Sequence, residues 1–285
     1  MTTIDKILNP FQLYTIPLDD WINNLIAFIV DRFRPFFQTI GLPIRWTLQN
    51  IEGILNGIPP LIFIIAIALI AWKLAGKKVA FYCIISLTLI GLIDVWEQAM
   101  VSLSLVITAL VFCLVVGIPL GILCAKSDRA ERIIRPILDI MQTLPSFVYL
   151  VPVVMLFGIG EVPGVIATII FAIPPLIRLT NLGIRQVSSE VIEAAIAFGS
   201  TPRQMLWEAQ IPLAMPTILA GVNQAILMAL SMSVVTSMIA VEGLGQMVLQ
   251  GVGRLDVGLA AVGGLGIVLL AIMLDRLTQA IAENY

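Results

Sequence analysis

The chain has 285 residues, of which 59% are apolar and 12% are charged, and its mean hydropathy is +1.04. Soluble domains average about 45–50% apolar and about 25% charged residues, so the composition excludes a soluble globular protein and indicates an integral membrane protein. The net charge of −2 argues against a nucleic-acid partner, and the absence of histidine removes the commonest metal ligand and general base.

Residues 1–57 precede the first long apolar run. No secretory signal is predicted there, because no basic start precedes an apolar core and a cleavage site. Between Trp21 and Phe37, apolar residues recur at helical spacing and are interrupted by Asp31, Arg32 and Arg34. Each of these charges would cost about 2.5–3.5 kcal/mol near the bilayer centre. We therefore predict an amphipathic helix in the membrane interface and treat 1–57 as an extracytoplasmic or interfacial segment.

Seven apolar stretches follow that are long enough to cross the bilayer core, which takes about 20 residues. The predicted spans are residues 58–74, 79–93, 99–124, 138–158, 163–182, 213–240 and 257–275. Residues 58–280 form the transmembrane domain in this prediction, and 281–285 are a short C-terminal tail. The fold class is accordingly all-α.

Lysine and arginine residues mark one side of the predicted membrane topology. They fall in alternate loops, as a single orientation requires: Lys73, Lys77 and Lys78; Lys126, Arg129, Arg132 and Arg135; Arg178, Arg185 and Arg203. The positive-inside rule places these loops in the cytoplasm. With seven spans, the N-terminus is then outside, and the C-terminus and the loop 185–212 are cytoplasmic.

A polar segment from Glu193 to Pro216 separates two predicted spans and carries signals for two short helices. Gly199 is expected to end the first helix, because glycine adopts a positive φ without steric cost. The run Thr201–Gln204 matches a helix start, with an N-cap residue, a proline at the first helical position and a capping-box glutamine. Pro212 is expected to stop the second helix. The local chemistry is compatible with a docking surface and equally with an ordinary capped loop.

Polar residues inside two predicted spans are the candidates for a solute pathway. They are Gln142, Thr143 and Pro145 in the fourth span, and Asn223, Gln224, Ser231 and Thr236 in the sixth. Polar groups are costly in lipid and tend to face a cavity, which favours a hydrophilic pathway. Hydrogen bonding between helices, worth about 0.6 kcal/mol per contact, is an equally good explanation.

Glycines and charges elsewhere add one packing motif and no catalytic site. Gly117 and Gly121 have the GxxxG spacing, which lets helices approach closely, either to shift during gating or to pack statically. Gly76-Lys77 is not a phosphate-binding loop, because Ala71 and Lys78 occupy positions that need glycine and Ser or Thr. We find no catalytic and no metal-ligating constellation, so the chain is not expected to be an enzyme by itself.

The polar segment resembles the EAA loop by which permease subunits of ATP-binding-cassette (ABC) importers touch their ATPase. The resemblance lies in Glu193-Ala194-Ala195, the glycine four residues later and Ile211-Pro212, with Ala209 where the family usually has isoleucine. It implies an ATPase-coupling loop made of Glu193, Ala194, Ala195, Gly199, Pro202, Arg203, Ile211 and Pro212.

A narrower resemblance covers residues 94–280 and is carried by Gln142-Thr143-Leu144-Pro145, by the run from Pro202 to Val235 and by the run from Gly243 to Ala260. These residues look like the permease subunit of bacterial glycine betaine and proline betaine importers. The resemblance implies a type I ABC importer in the bacterial inner membrane, with two permease copies and an extracytoplasmic substrate-binding protein. Two ATPase subunits would use ATP and Mg²⁺, and this chain would bind no cofactor. The resemblance does not cover residues 1–57 convincingly.

Other functions remain open at this stage. A secondary transporter driven by an ion gradient commonly shows internal repeats and a midplane ion site, and neither is evident here. An ABC permease for a different small solute, or a membrane scaffold or sensor, would have similar spans. The sequence leaves the solute open among glycine betaine, proline betaine, choline, carnitine and related compounds.

Overall fold

The computed structural model describes residues 16–282, and all regular structure in this range is helical. The helices are α1 (Leu18–Gly57), α2 (Pro60–Leu92), α3 (Trp96–Lys126), α4 (Asp128–Thr143), α5 (Leu150–Phe157), α6 (Glu161–Arg185), α7 (Ser189–Ala197), α8 (Pro202–Gln204), α9 (Ile211–Thr236), α10 (Leu244–Arg254) and α11 (Val257–Ala282). Three short helical segments adjoin them: 3-10 turns at Ser146–Tyr149 and Ser237–Ile239, and a π turn at Met205–Gln210. The predicted all-α class is confirmed.

Helix α2 reverses its direction near its middle. Gly76 has a φ of +81° and a ψ of 176°, a conformation that is not helical and that favours glycine. The Phe63 ring near the start of α2 lies 5.8 Å from the ring of Trp96, which follows the end of the helix. A straight helix of this length would hold its ends about 50 Å apart. Helix α2 is therefore a hairpin with Lys77 beside its tip, and its arms correspond to the predicted spans 58–74 and 79–93.

Five helices in the described range are long and apolar enough to cross a membrane: Pro60–Leu92, Trp96–Lys126, Glu161–Arg185, Pro202–Ile239 and Val257–Ala282. The bent pair Asp128–Thr143 and Ser146–Phe157 would be a sixth. The prediction was seven spans. The remaining difference lies in α2, which counts as one helix by length although its two arms match two predicted spans.

The fourth predicted span, 138–158, is wrong as a continuous helix. Helix α4 ends at Thr143, and the chain turns by 105° before it continues through α5. The cause is Pro145, which disfavours the helical conformation of the preceding residue, and Leu144 accordingly has a ψ of 135°. The Tyr149 hydroxyl lies 2.6 Å from the carbonyl oxygen of Met141 and 2.8 Å from that of Leu144. It therefore provides a hydrogen-bond donor for carbonyl groups that have no helical partner at the end of α4.

The expectation that Pro212 stops a helix is also wrong. Helix α9 begins at Ile211 and runs through Pro212 to Thr236. Just before it, the π turn widens the chain, and the N–H of Ile211 donates to the carbonyl of Leu206, five residues earlier. A wide turn of this kind accommodates a proline ring and its missing donor without ending the helix.

Helix α6 lies at the centre of the fold and packs along α3 and α9. Gly117 and Gly121 of α3 face Leu176 and Thr180 of α6, and a Cβ atom at Gly121 would lie 2.5 Å from the Cβ of Thr180. Two helices can approach this closely only where side chains are very small. The GxxxG pair therefore brings α3 and α6 together inside one subunit.

Helix α1 contains the predicted amphipathic stretch Trp21–Phe37 in its first half. Large apolar side chains such as Trp21 and Phe28 are exposed there, at 59% and 64%. In its second half, Ile44 and Leu48 are buried in a cluster that includes residues of α3 and α6. The predicted helix is present, and its position in the membrane interface stays a prediction.

Candidate functional site

The segment between α6 and α9, residues 185–212, is the predicted coupling segment, and its first helix ends at Gly199 as expected. Gly199 has a φ of +81°. Its N–H donates to the carbonyl of Ile196 at 2.9 Å, and the N–H of Ser200 donates to that of Ala195 at 2.9 Å. This pair of bonds is the Schellman motif, which requires a left-handed residue after the helix. The reversal between α7 and α8 is thus fixed by backbone bonding at a glycine.

The second helix of the coupling segment begins with the predicted capping box. The Thr201 hydroxyl accepts a hydrogen bond from the N–H of Gln204 at 3.3 Å, and the Gln204 Oε1 accepts one from the N–H of Thr201 at 3.0 Å. Pro202 occupies the first helical position, where no N–H donor is needed. Both ends of the turn between α7 and α8 are therefore held by local interactions.

The coupling segment is mostly solvent-exposed. The predicted coupling residues Glu193, Ala194, Gly199, Pro202, Arg203 and Pro212 are exposed, and Ala195 and Ile211 are partly buried. The most exposed large apolar side chain of the segment is Phe198 at its tip, with 91% of its surface accessible. Exposed apolar side chains on a turn held by local hydrogen bonds are typical of a surface that another protein covers.

The base of the coupling segment is anchored in the body of the protein. Leu206 is 3% exposed and packs in a cluster with Ile184 of α6 and with Ala214 and Ile218 of α9. A force on the exposed tip would therefore act on both helices. This arrangement can transmit movement from the surface into α6 and α9.

Among the predicted pathway residues near the bend between α4 and α5, Gln142 contacts the central helices α6 and α9. Gln142 accepts a hydrogen bond from Arg178 Nη1 of α6 at 3.0 Å, and its Nε2 lies 3.9 Å from the Met228 sulfur of α9. Thr143 and Pro145 are exposed, and the Thr143 hydroxyl donates to the carbonyl of Asp139 at 2.9 Å. Gln142 thus bridges α4, α6 and α9.

The predicted pathway residues of α9 fall into two groups. Asn223 faces α11, where its amide donates to Asp275 at 2.7 Å and its carbonyl oxygen accepts from the Thr278 hydroxyl at 2.7 Å. Thr236 is buried and bonds within its own helix. Gln224 and Ser231 are exposed, and their spacing of seven residues places them on one face of α9. Hydrogen bonding between helices accounts for Asn223, and the pathway role of the whole set stays a prediction.

A cluster of charged side chains between α4 and α6 was not predicted. In the sequence analysis, Arg178 and Arg185 serve only as markers of the cytoplasmic side. In the structure Arg178 pairs with Asp139 at 2.6 Å, and Arg185 pairs with Asp128 at 2.7 Å and with Glu131 at 3.0 Å. The matching helical spacing of acids in 128–139 and of basic residues in 178–185 is the sequence signal that could have indicated it.

Within the described range, no group of three or more His, Cys, Asp or Glu side chains could hold a metal ion.

Comparison with known proteins identifies relatives over nearly the whole chain. The family model for binding-protein-dependent transport system inner membrane components matches residues 117–284. The glycine betaine/proline betaine transport system permease protein ProW of Escherichia coli is 59% identical over 279 residues, which cover 98% of this chain and 79% of that protein. The glycine betaine/carnitine transport permease protein GbuB of Listeria monocytogenes is 48% identical, covering 93% and 95%. The glycine betaine transport system permease protein OpuAB of Bacillus subtilis is 43% identical, covering 95% and 96%.

A solved structure of the MetNI methionine ABC transporter in an inward-facing conformation has the same fold, with a TM-score of 0.59 at 20% identity over 65% of this chain and 92% of that one. The match to ProW also corrects the sequence analysis, because it includes most of residues 1–57. The relatives are permease subunits, which favours an importer over an ion-driven secondary transporter, a scaffold or a sensor. The chain belongs to the family of binding-protein-dependent transport system inner membrane components, in the group that contains the permease proteins of glycine betaine transport systems.

Proposed function

We propose that this chain is the membrane-spanning permease of an ATP-driven importer for glycine betaine and proline betaine. The observation that carries the proposal is the 59% identity to ProW over 98% of the chain. Relatives whose names contain no betaine are less similar: a permease protein for trimethylamine N-oxide is 38% identical, and those for choline and carnitine are 30% and 28% identical. GbuB, which is named for carnitine as well as glycine betaine, is 48% identical. All these solutes carry a methylated nitrogen, so the chemical class is shared and the identity favours the betaines.

The coupling segment, residues 185–212, is proposed to receive the ATPase. Its support is the exposed, capped turn with Phe198 at the tip and the anchored base at Leu206. Two ATPase subunits would bind ATP and Mg²⁺, and two copies of this chain would form the membrane part. ATP binding would draw the ATPase subunits together, and the coupling segments would move α6 and α9 with them. An extracytoplasmic binding protein would deliver the solute.

The proposed topology puts the permease in the bacterial inner membrane, with residues 58–280 as its transmembrane domain. Residues 1–57 would lie outside or in the membrane interface, and 281–285 would form a cytoplasmic tail. The support is the alternation of basic loops along the chain together with the hairpin of α2, which restores an odd number of crossings.

The proposed solute pathway passes the bend between α4 and α5 and the exposed face of α9. Gln142, Thr143 and Pro145 surround the bend, and Gln224 and Ser231 are the exposed polar residues of α9 in the predicted set. Amide and hydroxyl groups suit a zwitterionic solute, because they can meet its carboxylate without fixing a charge in the membrane. Asn223 would support this face through its hydrogen bonds to α11, and Thr236 is buried and bonds within α9.

The test is uptake of labelled glycine betaine into cells that lack their own betaine transporters and that express this chain with its ATPase and binding protein. Uptake is expected at high osmolarity and should cease when ATP is depleted while the ion gradient is held. Uptake that persists on the gradient alone would overturn the ATP-driven assignment. Entry of carnitine, choline or trimethylamine N-oxide without entry of either betaine would overturn the solute assignment and leave the transporter class standing.

A further inference from the structure

The proposed function leaves unexplained how movement of the coupling segment reaches the bend between α4 and α5. We propose that Arg178 and Arg185 are positioning residues that clamp α4 onto α6, so that α4 follows α6 when the coupling segment moves. The inference rests on the proposed function, because it takes residues 185–212 to be the part that the ATPase moves.

The ion pairs of the described chain are concentrated between two helices. All three ion pairs formed between residues 16–282 join α4 to α6. Arg178 contacts Asp139 near the end of α4, and Arg185 contacts Asp128 and Glu131 at its beginning. The clamp thus holds α4 at both ends.

Further hydrogen bonds, each with one charged partner, complete each end of the clamp. Arg178 also donates to the Gln142 side chain at 3.0 Å, and Asn181 donates to Glu131 at 3.1 Å. Arg185 further donates to the carbonyl of Cys124 at 2.8 Å and to the side chain of Asn181 at 2.9 Å. Residues 178, 181 and 185 are spaced by three and four positions, which puts them on one face of α6.

Helix α4 makes limited apolar contact with the rest of the protein. Its only buried residue is Leu138, and Ile134 and Met141 are partly buried against the main apolar cluster. Three of its isoleucines point away from the protein body: Ile133, Ile137 and Ile140 are 67%, 52% and 58% exposed. Directed polar contacts therefore join this limited apolar packing in setting the position of α4.

The clamp connects the two parts of the proposed machinery. Arg185 is the last residue of α6 and the first residue of the coupling segment, and Arg178 lies two turns earlier. Gln142 lies near the end of α4, two residues before Leu144, where the chain bends. A displacement of the end of α6 would thus reach the bend through Arg178 and Arg185, without passing along the backbone of α6 and back through α5.

Arginine suits the clamp because two of its nitrogen atoms reach different partners. Arg185 Nε donates to the side chain of Asn181, and its Nη2 contacts the side chains of Asp128 and Glu131 and the Cys124 carbonyl. Arginine has five N–H donors in a fixed planar arrangement, whereas a lysine ammonium has three on one atom. The side chains of Arg178 and Asp139 are 41% and 54% exposed, so a single pair is hydrated and weak, and the clamp acts through its combined geometry.

The first experiment exchanges the charges of one pair in the complete importer reconstituted in liposomes. Arg178→Asp and Asp139→Arg should each raise the number of ATP molecules hydrolysed per betaine imported about fivefold, and the double variant should recover at least about half of the native uptake. Arg129→Asp is the matched control, because Arg129 is exposed on α4 and forms no ion pair with residues 16–282. Native coupling ratios in both single variants, or a double variant no better than either single variant at equal amounts of assembled complex, would overturn the clamp.

A second measurement does not depend on the solute. Spin labels on cysteines introduced at Ile133 of α4 and Ser189 at the start of α7 report the distance between α4 and the coupling segment. The distance should be the same without nucleotide and with trapped ATP in the native complex, and it should change with ATP when Arg178→Asp and Arg185→Ala are present. A distance that changes with ATP in the native complex would refute the clamp. If the native complex imports no betaine, the solute assignment fails, and this measurement still decides the clamp.

Discussion

At the residue scale, Gly199 is the position where the coupling segment depends most on one residue type. Its φ is +81°, and a Cβ atom there would meet nothing within 4 Å. A side chain would therefore fit in space and fail only through the backbone, because a β-branched residue resists a positive φ. A substitution at Gly199 therefore tests backbone conformation separately from packing.

We expect Gly199→Val to leave membrane insertion intact and to lower betaine uptake about tenfold relative to ATP hydrolysis, because the turn between α7 and α8 would lose its geometry at a cost of about 1–3 kcal/mol. Gly199→Asn should retain most of the coupling, since asparagine tolerates the left-handed region. Uptake and hydrolysis measured on the same liposomes give the ratio. Equal coupling in the Val and Asn variants would contradict the role of the positive φ.

The charged residues show where sequence reasoning stops at this scale. The Schellman motif at Gly199 and the capping box at Thr201 and Gln204 were predicted because each involves residues within five positions of one another. The pair between Arg178 and Asp139 spans 39 positions, and no local preference encodes it. The sequence showed acids and bases at helical spacing, and only the fold brings the two faces together.

At the element scale, the prolines show that one residue type produces different outcomes. Pro145 bends the chain by 105° because it forces Leu144 out of the helical region. Pro212 does not end its helix, because the π turn before it accommodates the proline ring and the missing N–H donor. In the sequence analysis the helix is expected to end at Pro212, whereas the break lies at Pro145. The difference depends on the hydrogen bond from Ile211 to the carbonyl of Leu206, five residues earlier, which sequence alone does not reveal.

The contact between α3 and α6 gives a second prediction at this scale. A Cβ at Gly121 would lie 2.5 Å from Thr180 Cβ and 3.0 Å from the backbone oxygen of Ile177, so the two helices must separate to admit it. We expect Gly121→Ala to destabilise the purified chain by about 1–3 kcal/mol, seen as a lower midpoint of thermal unfolding in detergent. Gly264→Ala in α11 is the control, because a Cβ there meets nothing within 4 Å. Similar midpoints for both variants would contradict the close packing at Gly121.

At the scale of the whole molecule, the fold joins a hairpin to a central bundle. Helix α2 packs against α11, whereas α3, α6 and α9 form the core that leads into the coupling segment. The part that touches the ATPase in the proposed function is therefore contiguous with the centre, and α2 lies to one side of it. Sequence reasoning found most of these helices from hydropathy, and it could not find their packing because that depends on contacts between distant parts of the chain.

The hairpin of α2 makes a prediction about topology. Each arm has about 16 residues and spans about 24 Å, shorter than the hydrocarbon core of about 30 Å, so crossing requires the lysines at the tip to extend to the interface. Lys73, Lys77 and Lys78 lie there and can do so. Asn56 and Glu97, just outside the two ends of the hairpin, line one cavity and must therefore lie on the same side of the membrane.

Single cysteines introduced at these positions test the topology, because the native cysteines of the chain, Cys83, Cys113 and Cys124, are all buried. Asn56→Cys and Glu97→Cys should react with a membrane-impermeant maleimide in intact cells. Lys77→Cys and Ser189→Cys should react only in inverted vesicles, since both are expected to face the cytoplasm. Labelling of Asn56→Cys and Glu97→Cys from opposite sides would mean that α2 crosses once, and the N-terminus and the coupling segment would then lie on the same side of the membrane.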